Sequence, residues 1–114
     1  MNSNKKNNVK LKRLKSKIVI DRLFKQGEVI HTKQLMLRIL KKDDPILYAG
    51  VSVAKRNFKR AVDRNKIKRQ LREVLKSLEE DIPFGGSCML IHKGRSFVAT
   101  KNLLKQGKQF FEKD

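Results

Sequence analysis

A chain of 114 residues has room for one domain with one modest core. Lys and Arg number 29 against 11 Asp and Glu, a formal charge of +18, so the folded state repels itself unless a polyanion screens it, which implies a nucleic acid or an anionic surface as partner. The chain has no transmembrane-length apolar run, no signal-type segment, no lipidation signal and no basic amphipathic helix with a bulky apolar face, so the expectation is a cytoplasmic protein without a membrane partner.

Residues 1–15 carry Lys5, Lys6, Lys10, Lys12, Arg13 and Lys15 with no acid among them. That composition cannot bury a core and predicts a basic arm, disordered when free and able to order on RNA, ahead of a single domain over 16–114. Residues 16–26 place Ile20, Leu23 and Phe24 at helical spacing, with Ser16 as N-cap and Gly27 as stop, and predict a short first helix. Between 28 and 40 a loose alternation of Val29, Ile30, Leu35, Leu37 and Ile39 suits one long bent strand or two short ones. A turn at 41–45 leads to a β-rich stretch, 46–55, containing Tyr48, Val51 and Val53. The clearest helix runs over about 60–80, where Ile67, Leu71, Val74, Leu75 and Leu78 mark one buried face.

Pro83 and the pair Gly85 and Gly86 are expected to separate that helix from a strand over 87–92. The only cysteine, Cys88, falls in this strand and reads as a buried thiol packing as a small hydrophobe. A last helix carries Leu103, Leu104, Phe110 and Phe111, weakened at Gly107 by about 1 kcal/mol relative to Ala. A strand, a long helix and a second strand cannot form a hairpin, so the two strands should be parallel. The fold class is therefore α+β, a small mixed sheet flanked by helices with one β-α-β crossover.

The segment from Lys55 to Arg72 holds Lys55, Arg56, Lys59, Arg60, Arg64, Lys66, Lys68, Arg69 and Arg72 with Asp63 as its only acid. At about 100° per residue, Asn65, Lys66, Lys68, Arg69 and Arg72 fall opposite the apolar face, with Arg64 at its border. Solvated helical faces usually mix charge signs, and this one does not. A rigid helix presenting guanidinium and ammonium groups can follow a phosphate backbone, so nucleic-acid contact is the expectation. The acids Glu73, Glu79, Glu80 and Asp81 gather at the far end of the helix, where they oppose its dipole. Local pairing with Lys76 is the one role the sequence suggests for them.

On the first helix, Ile20 and Phe24 are expected to face a sheet displaying Lys33, Gln34 and Arg38. Phe24 reads either as core or as a platform for single-stranded bases. Protein-based catalysis has little support. The close carboxylates, Asp43 with Asp44 and Glu79 through Asp81, sit in a turn and at a helix end. His31 and His92 have no neighbours at metal-ligand spacing, and no Gly-rich phosphate loop or nucleophile elbow is present. No catalytic or metal-ligating residue is therefore assigned.

The run Arg64-Asn65-Lys66-Ile67-Lys68-Arg69-Gln70-Leu71-Arg72 resembles the Arg-Asn-x-x-Lys-Arg-x-x-Arg signature of the bacterial ribonuclease P protein family. The preceding Gly50-Val51-Ser52-Val53-Ala54-Lys55-Arg56 resembles that family's strand ending in a basic pair. Arg22-Leu23-Phe24-Lys25-Gln26-Gly27 resembles the end of its first helix, and Arg13-Leu14-Lys15 the entry to it. The resemblance spans roughly residues 12–111.

It implies a left-handed β-α-β crossover and a division of labour. The RNA subunit would hold Mg²⁺ and hydrolyse precursor tRNA at the 5′ end, while the protein binds the catalytic RNA and the 5′ leader, with no cofactor of its own and no obligate protein partner. By resemblance, Arg64, Asn65, Lys68, Arg69 and Arg72 contact the catalytic RNA. Arg13, Lys55, Arg56, Arg60 and Lys66 extend the RNA-binding set, and Ile20, Phe24, Lys33, Gln34 and Arg38 form the leader cleft. Ile20 and Arg38 stand where the family often has aromatic residues, which implies a cleft that relies more on charge. A structural RNA-binding protein of ribosomal type would share the size and charge, and the ordered signature is what separates the two readings.

Overall fold

The computed structural model describes residues 9–111, and its elements follow from how each segment disposes of its apolar side chains. Strand β1 (Lys10–Arg13) is followed by helix α1 (Lys17–Gln26), strands β2 (Glu28–His31), β3 (Leu35–Lys42) and β4 (Ile46–Val53), and helix α2 (Ala61–Leu78). A 3-10 turn (Glu79–Asp81), strand β5 (Gly85–His92) and helix α3 (Thr100–Gln109) complete the chain. The five strands form one mixed sheet in the order β1-β4-β5-β3-β2. β4 and β5 are parallel, with Ala49 opposite Cys88 and Val51 opposite Leu90, as a helical crossover demands.

Strand alternation gives the sheet two apolar faces. On one face Leu35, Leu37, Ile39, Leu47, Ala49, Val53, Cys88 and Leu90 pack with Ile67, Leu71, Val74, Leu75 and Leu78 of α2 and Leu103 of α3. On the other, Met89 and Ile91 meet Leu14 and Leu23, flanked by Val19, Ile20, Met36 and Leu40. Both faces of β5 are covered, so all eight of its residues are buried. The Cys88 thiol is pushed up to about 12 by that burial and behaves as core.

Ser16 caps α1 by accepting the Val19 N–H at 3.3 Å, and the Gly27 N–H closes the helix on the Leu23 carbonyl at 3.0 Å. The segment at 28–40 resolves into two antiparallel strands rather than one bent strand, with Thr32, Lys33 and Gln34 between them.

Three expectations need correction. The predicted arm does not extend to residue 15, because Lys10–Arg13 pairs in parallel with β4, Lys10 opposite Ile46 and Arg13 opposite Ala49. Residues 1–8 of that arm lie outside the described residues. One inward apolar residue, Leu11, among three exposed cations leaves no composition signal for a strand. What makes it one is tertiary: the Leu11 N–H points away from β4 and donates to the Glu79 carboxylate at 3.0 Å. Glu79 therefore ties down the sheet edge, beyond any pairing with Lys76.

Gly85 and Gly86 do not end a helix but begin β5. Gly86 has a φ of +113°, and a Cβ there would lie 2.2 Å from the Leu40 carbonyl oxygen. Gly107, read as a weak point of α3, is buried against α2, where a Cβ would lie 2.7 Å from Leu78 Cδ1 and 3.1 Å from Val74 Cγ1. The missing side chain lets the two helices approach.

Candidate nucleic-acid interface

The five buried residues of α2, Ile67, Leu71, Val74, Leu75 and Leu78, fix its rotation against the sheet and so fix which residues it presents outward. Asn65, Lys66, Arg69 and Arg72 are exposed and Lys68 is half-buried. The loop before the helix adds the exposed Lys55, Arg56, Lys59 and Arg60. Asn57 sets that loop in place by donating through Nδ2 to the Lys93 and Gly94 carbonyls at 3.1 and 3.2 Å. Arg60 Nε lies 4.0 Å from Asp63, but the arginine is 77 % exposed and the pair contributes little.

Arg64 stands apart within this set. Its Nη1 donates to the carbonyls of Phe58 and Lys59, both at 2.8 Å, so the guanidinium braces the loop from beneath. Lys66 turns the other way and sets its ammonium 5.1 Å from the Phe97 ring centroid. Phe97 is 49 % exposed and rests against the buried Phe58 with ring centroids 5.3 Å apart. Sequence reasoning passed over Phe97. Its only signal was an aromatic residue in an otherwise polar turn beside Arg95.

Arg13 faces α2 from the end of β1. It lines one pocket with Lys68 and Arg72, floored by Leu11, Ala49, Val51 and Leu75. The pocket continues round the sheet edge past Gly50 to Met89, Leu14 and Ile20. Ile20 thus sits where the two faces of the sheet meet.

The residues assigned to a cleft are only partly brought together. Phe24 is 44 % exposed rather than core, and Arg38 lies over it with its guanidinium carbon 4.9 Å from the ring centroid. Arg38 Nη1 donates to the Phe24 carbonyl at 3.2 Å, while its Nε is buried without a partner. Lys33 is exposed in the β2-β3 turn. Gln34 does not join Phe24: its backbone N–H donates to Gln106 Oε1 at 2.8 Å and its side chain accepts from Gln106 Nε2. Gln106 is a buried residue of α3, on the opposite face of the sheet from α1, and nothing in the spacing around it signals that it needs these partners. It also accepts from Thr32 Oγ1 at 2.9 Å.

Among the described residues no group of three or more His, Cys, Asp or Glu side chains converges to hold a metal ion. His92 is fully buried beside Phe58, with rings edge to face at 5.6 Å, and burial lowers its pKa. Among the described residues no helix is long and apolar enough to cross a membrane.

A basic helix with this signature on a sheet of this order has relatives. The family described as Ribonuclease P matches residues 9–113. This chain belongs to that family. The Ribonuclease P protein component of Brevibacillus brevis is 35 % identical over 95 residues, covering 82 % of this chain and 75 % of the relative. That of Borreliella burgdorferi is 34 % identical over 64 residues, covering 55 % of this chain and 54 % of the relative.

Among solved structures, the Staphylococcus aureus RNase P protein superposes with a TM-score of 0.70 at 25 % identity, covering 85 % of this chain and 89 % of that one. The RNase P protein from Thermotoga maritima gives 0.76 at 20 % identity, over 88 % and 94 %, which supports the fold. Membership of the ribonuclease P protein family carries a role in RNA binding and tRNA processing, as part of an endoribonuclease.

Proposed function

We propose that this chain is the protein subunit of a cytoplasmic ribonuclease P ribonucleoprotein, binding both the catalytic RNA and the 5′ leader of precursor tRNA to support 5′ maturation. The observation that carries the reading is α2, whose buried stripe holds Asn65, Lys66, Arg69 and Arg72 outward on a rigid rod. Positive charge fixed in space follows a phosphate backbone, and the arginines add bidentate geometry.

The catalytic RNA is assigned to this face and to Lys55, Arg56 and Arg60 beside it. The leader is assigned to the other face of the sheet, where the exposed part of the Phe24 ring is open to an unstacked base and the Arg38 guanidinium beside it adds charge. The hydrolysis and its Mg²⁺ are assigned to the RNA. The protein's part is to neutralise phosphates that would otherwise repel one another, which lowers the Mg²⁺ the assembly needs. No obligate protein partner enters this scheme.

The test is 5′ leader removal from a precursor tRNA at low Mg²⁺ by the protein alone, a bacterial ribonuclease P RNA alone, and the two together. Cleavage only in the mixture, with tighter binding to leader-bearing than to mature tRNA, is expected. In the reconstituted enzyme Arg69→Ala should raise the Mg²⁺ requirement. A folded protein that binds RNA yet fails to stimulate cleavage would instead indicate a structural RNA-binding role, and cleavage by the protein alone would overturn the division of labour.

A further inference from the structure

β1 is too short to cover β4. Their pairing ends with Arg13 opposite Ala49, and the last bond runs from the Leu14 N–H to the Ala49 carbonyl at 2.9 Å. Along a parallel strand alternate residues direct both backbone groups to the same side. The Pro45 and Ala49 carbonyls both accept from the β1 side, so the N–H and C=O of Val51 point to that side as well, where β1 no longer runs.

Those two groups open into the pocket between β1, β4 and α2, a cavity of about 390 Å³, within the ~300–1,000 Å³ typical of small-molecule sites. Its walls have three distinct characters. Leu11, Ala49, Leu75 and Met89 are apolar, Val51 supplies a backbone donor beside a backbone acceptor, and Arg13, Lys68 and Arg72 bring cations.

An ion needs no apolar floor, and a lipid or peptide side chain needs no three cations. A flat heterocycle bearing a donor and an acceptor on one edge, attached to a phosphate, uses all three. We propose that this pocket takes one unpaired nucleotide of the structured RNA bound along α2, with the base under the β4 edge read by Val51 and the phosphates held by Arg13, Lys68 and Arg72. The proposal rests on the RNA-binding reading of α2 and adds to it a site for a single base, separate from Phe24 and Arg38, which do not line this pocket. The pocket wraps from the α2 face to Ile20 on the α1 face, so a nucleotide seated here would anchor RNA where the two faces meet.

The test is an amide NMR titration of the full chain with the four ribonucleoside monophosphates, ribose 5-phosphate and inorganic phosphate. At least one monophosphate should shift the Val51 amide saturably, with ribose 5-phosphate about tenfold weaker, the loss expected when the base's apolar contacts and its edge hydrogen bonds to Val51 are missing. Arg13→Gln should weaken that nucleotide several-fold without changing the dispersion of the spectrum. A Val51 amide unmoved by all four, in a protein that still binds the structured RNA, overturns the pocket and leaves the RNA-binding reading intact. Loss of RNA binding as well overturns both. Equal affinity for ribose 5-phosphate and the nucleotide would reduce the site to a phosphate contact and overturn the base assignment.

A second arm identifies the strand. Lys12→Cys puts a thiol at the exposed pocket rim for a photoactivatable label, while buried Cys88 stays unlabelled. Crosslinks in the assembled enzyme should map to the catalytic RNA, and crosslinks confined to the precursor leader would overturn that assignment.

Discussion

Arg64 and Arg69 lie in one signature, yet the structure gives them different work, and substitution should separate them. Arg64 makes two charge-assisted bonds to the Phe58 and Lys59 carbonyls. Bonds to charged groups contribute about 1.5–3 kcal/mol each when dry. Arg64 is half-buried, so solvent screening brings the pair to about 1–2 kcal/mol in total. Arg64→Ala should therefore lower Tm by roughly 4–16 °C, at about 4–8 °C per kcal/mol for a small domain. RNA affinity should fall with it, because the loop presenting Lys55, Arg56 and Arg60 loses its brace.

Arg69→Ala should leave Tm nearly unchanged, since an exposed surface substitution usually stays within about 0.5 kcal/mol. Its signature is the salt dependence of RNA affinity, whose log-log slope should fall by about 0.7–0.9, one phosphate contact. Thermal unfolding by circular dichroism and binding isotherms at several salt concentrations supply both readouts. If Arg64→Ala melts with the wild type, or if both variants change only the slope, the bracing role is wrong.

Gly107→Ala gains about 1 kcal/mol of helix propensity but sets a methyl against the buried Leu78 and Val74. Overpacking costs about 1–3 kcal/mol, so urea unfolding should show a net loss of about 1 kcal/mol rather than a gain. His92 has its pKa lowered by burial, so as pH falls through about 6.5 the unfolded chain takes up a proton that the native state refuses. Stability should be kept above that pH and decline below it, and His92→Phe should flatten the decline in a melting series. Phe97→Ala should weaken RNA binding at constant salt slope, since a stacking surface rather than a charge is lost, and a changed slope would refute a stacking role.

The legible parts of this fold are those where local pattern and tertiary environment agree. α2 was readable because Ile67, Leu71, Val74, Leu75 and Leu78 keep helical period on the side that is buried, and the parallel β4-β5 pair followed from the crossover length alone. The illegible parts are those decided by a partner distant in sequence. β1 exists because Pro45, Ala49 and Glu79 complete its hydrogen bonds. Gln34 was expected beside Phe24, but buried Gln106 draws it to the other face.

The candidate site divides in the same way. Charge on α2 was visible from spacing, whereas the braced Arg64, the exposed Phe97 and the pocket at Arg13 depend on the loop carbonyls, on Phe58 and on where β1 stops.

Glu79 turns that lesson into a prediction opposite in sign to simple electrostatics. Removing an acid from a chain of formal charge +18 should tighten its hold on a polyanion, and Glu73→Ala, at an exposed position of α2, should do so slightly. Glu79 differs because its carboxylate accepts the Leu11 N–H at 3.0 Å and so holds β1. Two residues further along β1, Arg13 faces Lys68 and Arg72 across the pocket. Freeing the strand disperses that trio, and a cation that must be ordered on binding contributes less than one already fixed, by about 0.5–1.5 kcal/mol per side chain. Glu79→Ala should accordingly weaken RNA binding several-fold, whereas Glu79→Gln, which keeps an acceptor oxygen, should bind at least as well as the wild type. Isotherms for the three variants at one salt concentration decide the matter. Tighter binding by Glu79→Ala, in step with Glu73→Ala, would mean that charge alone governs the interface and that β1 contributes nothing by being held.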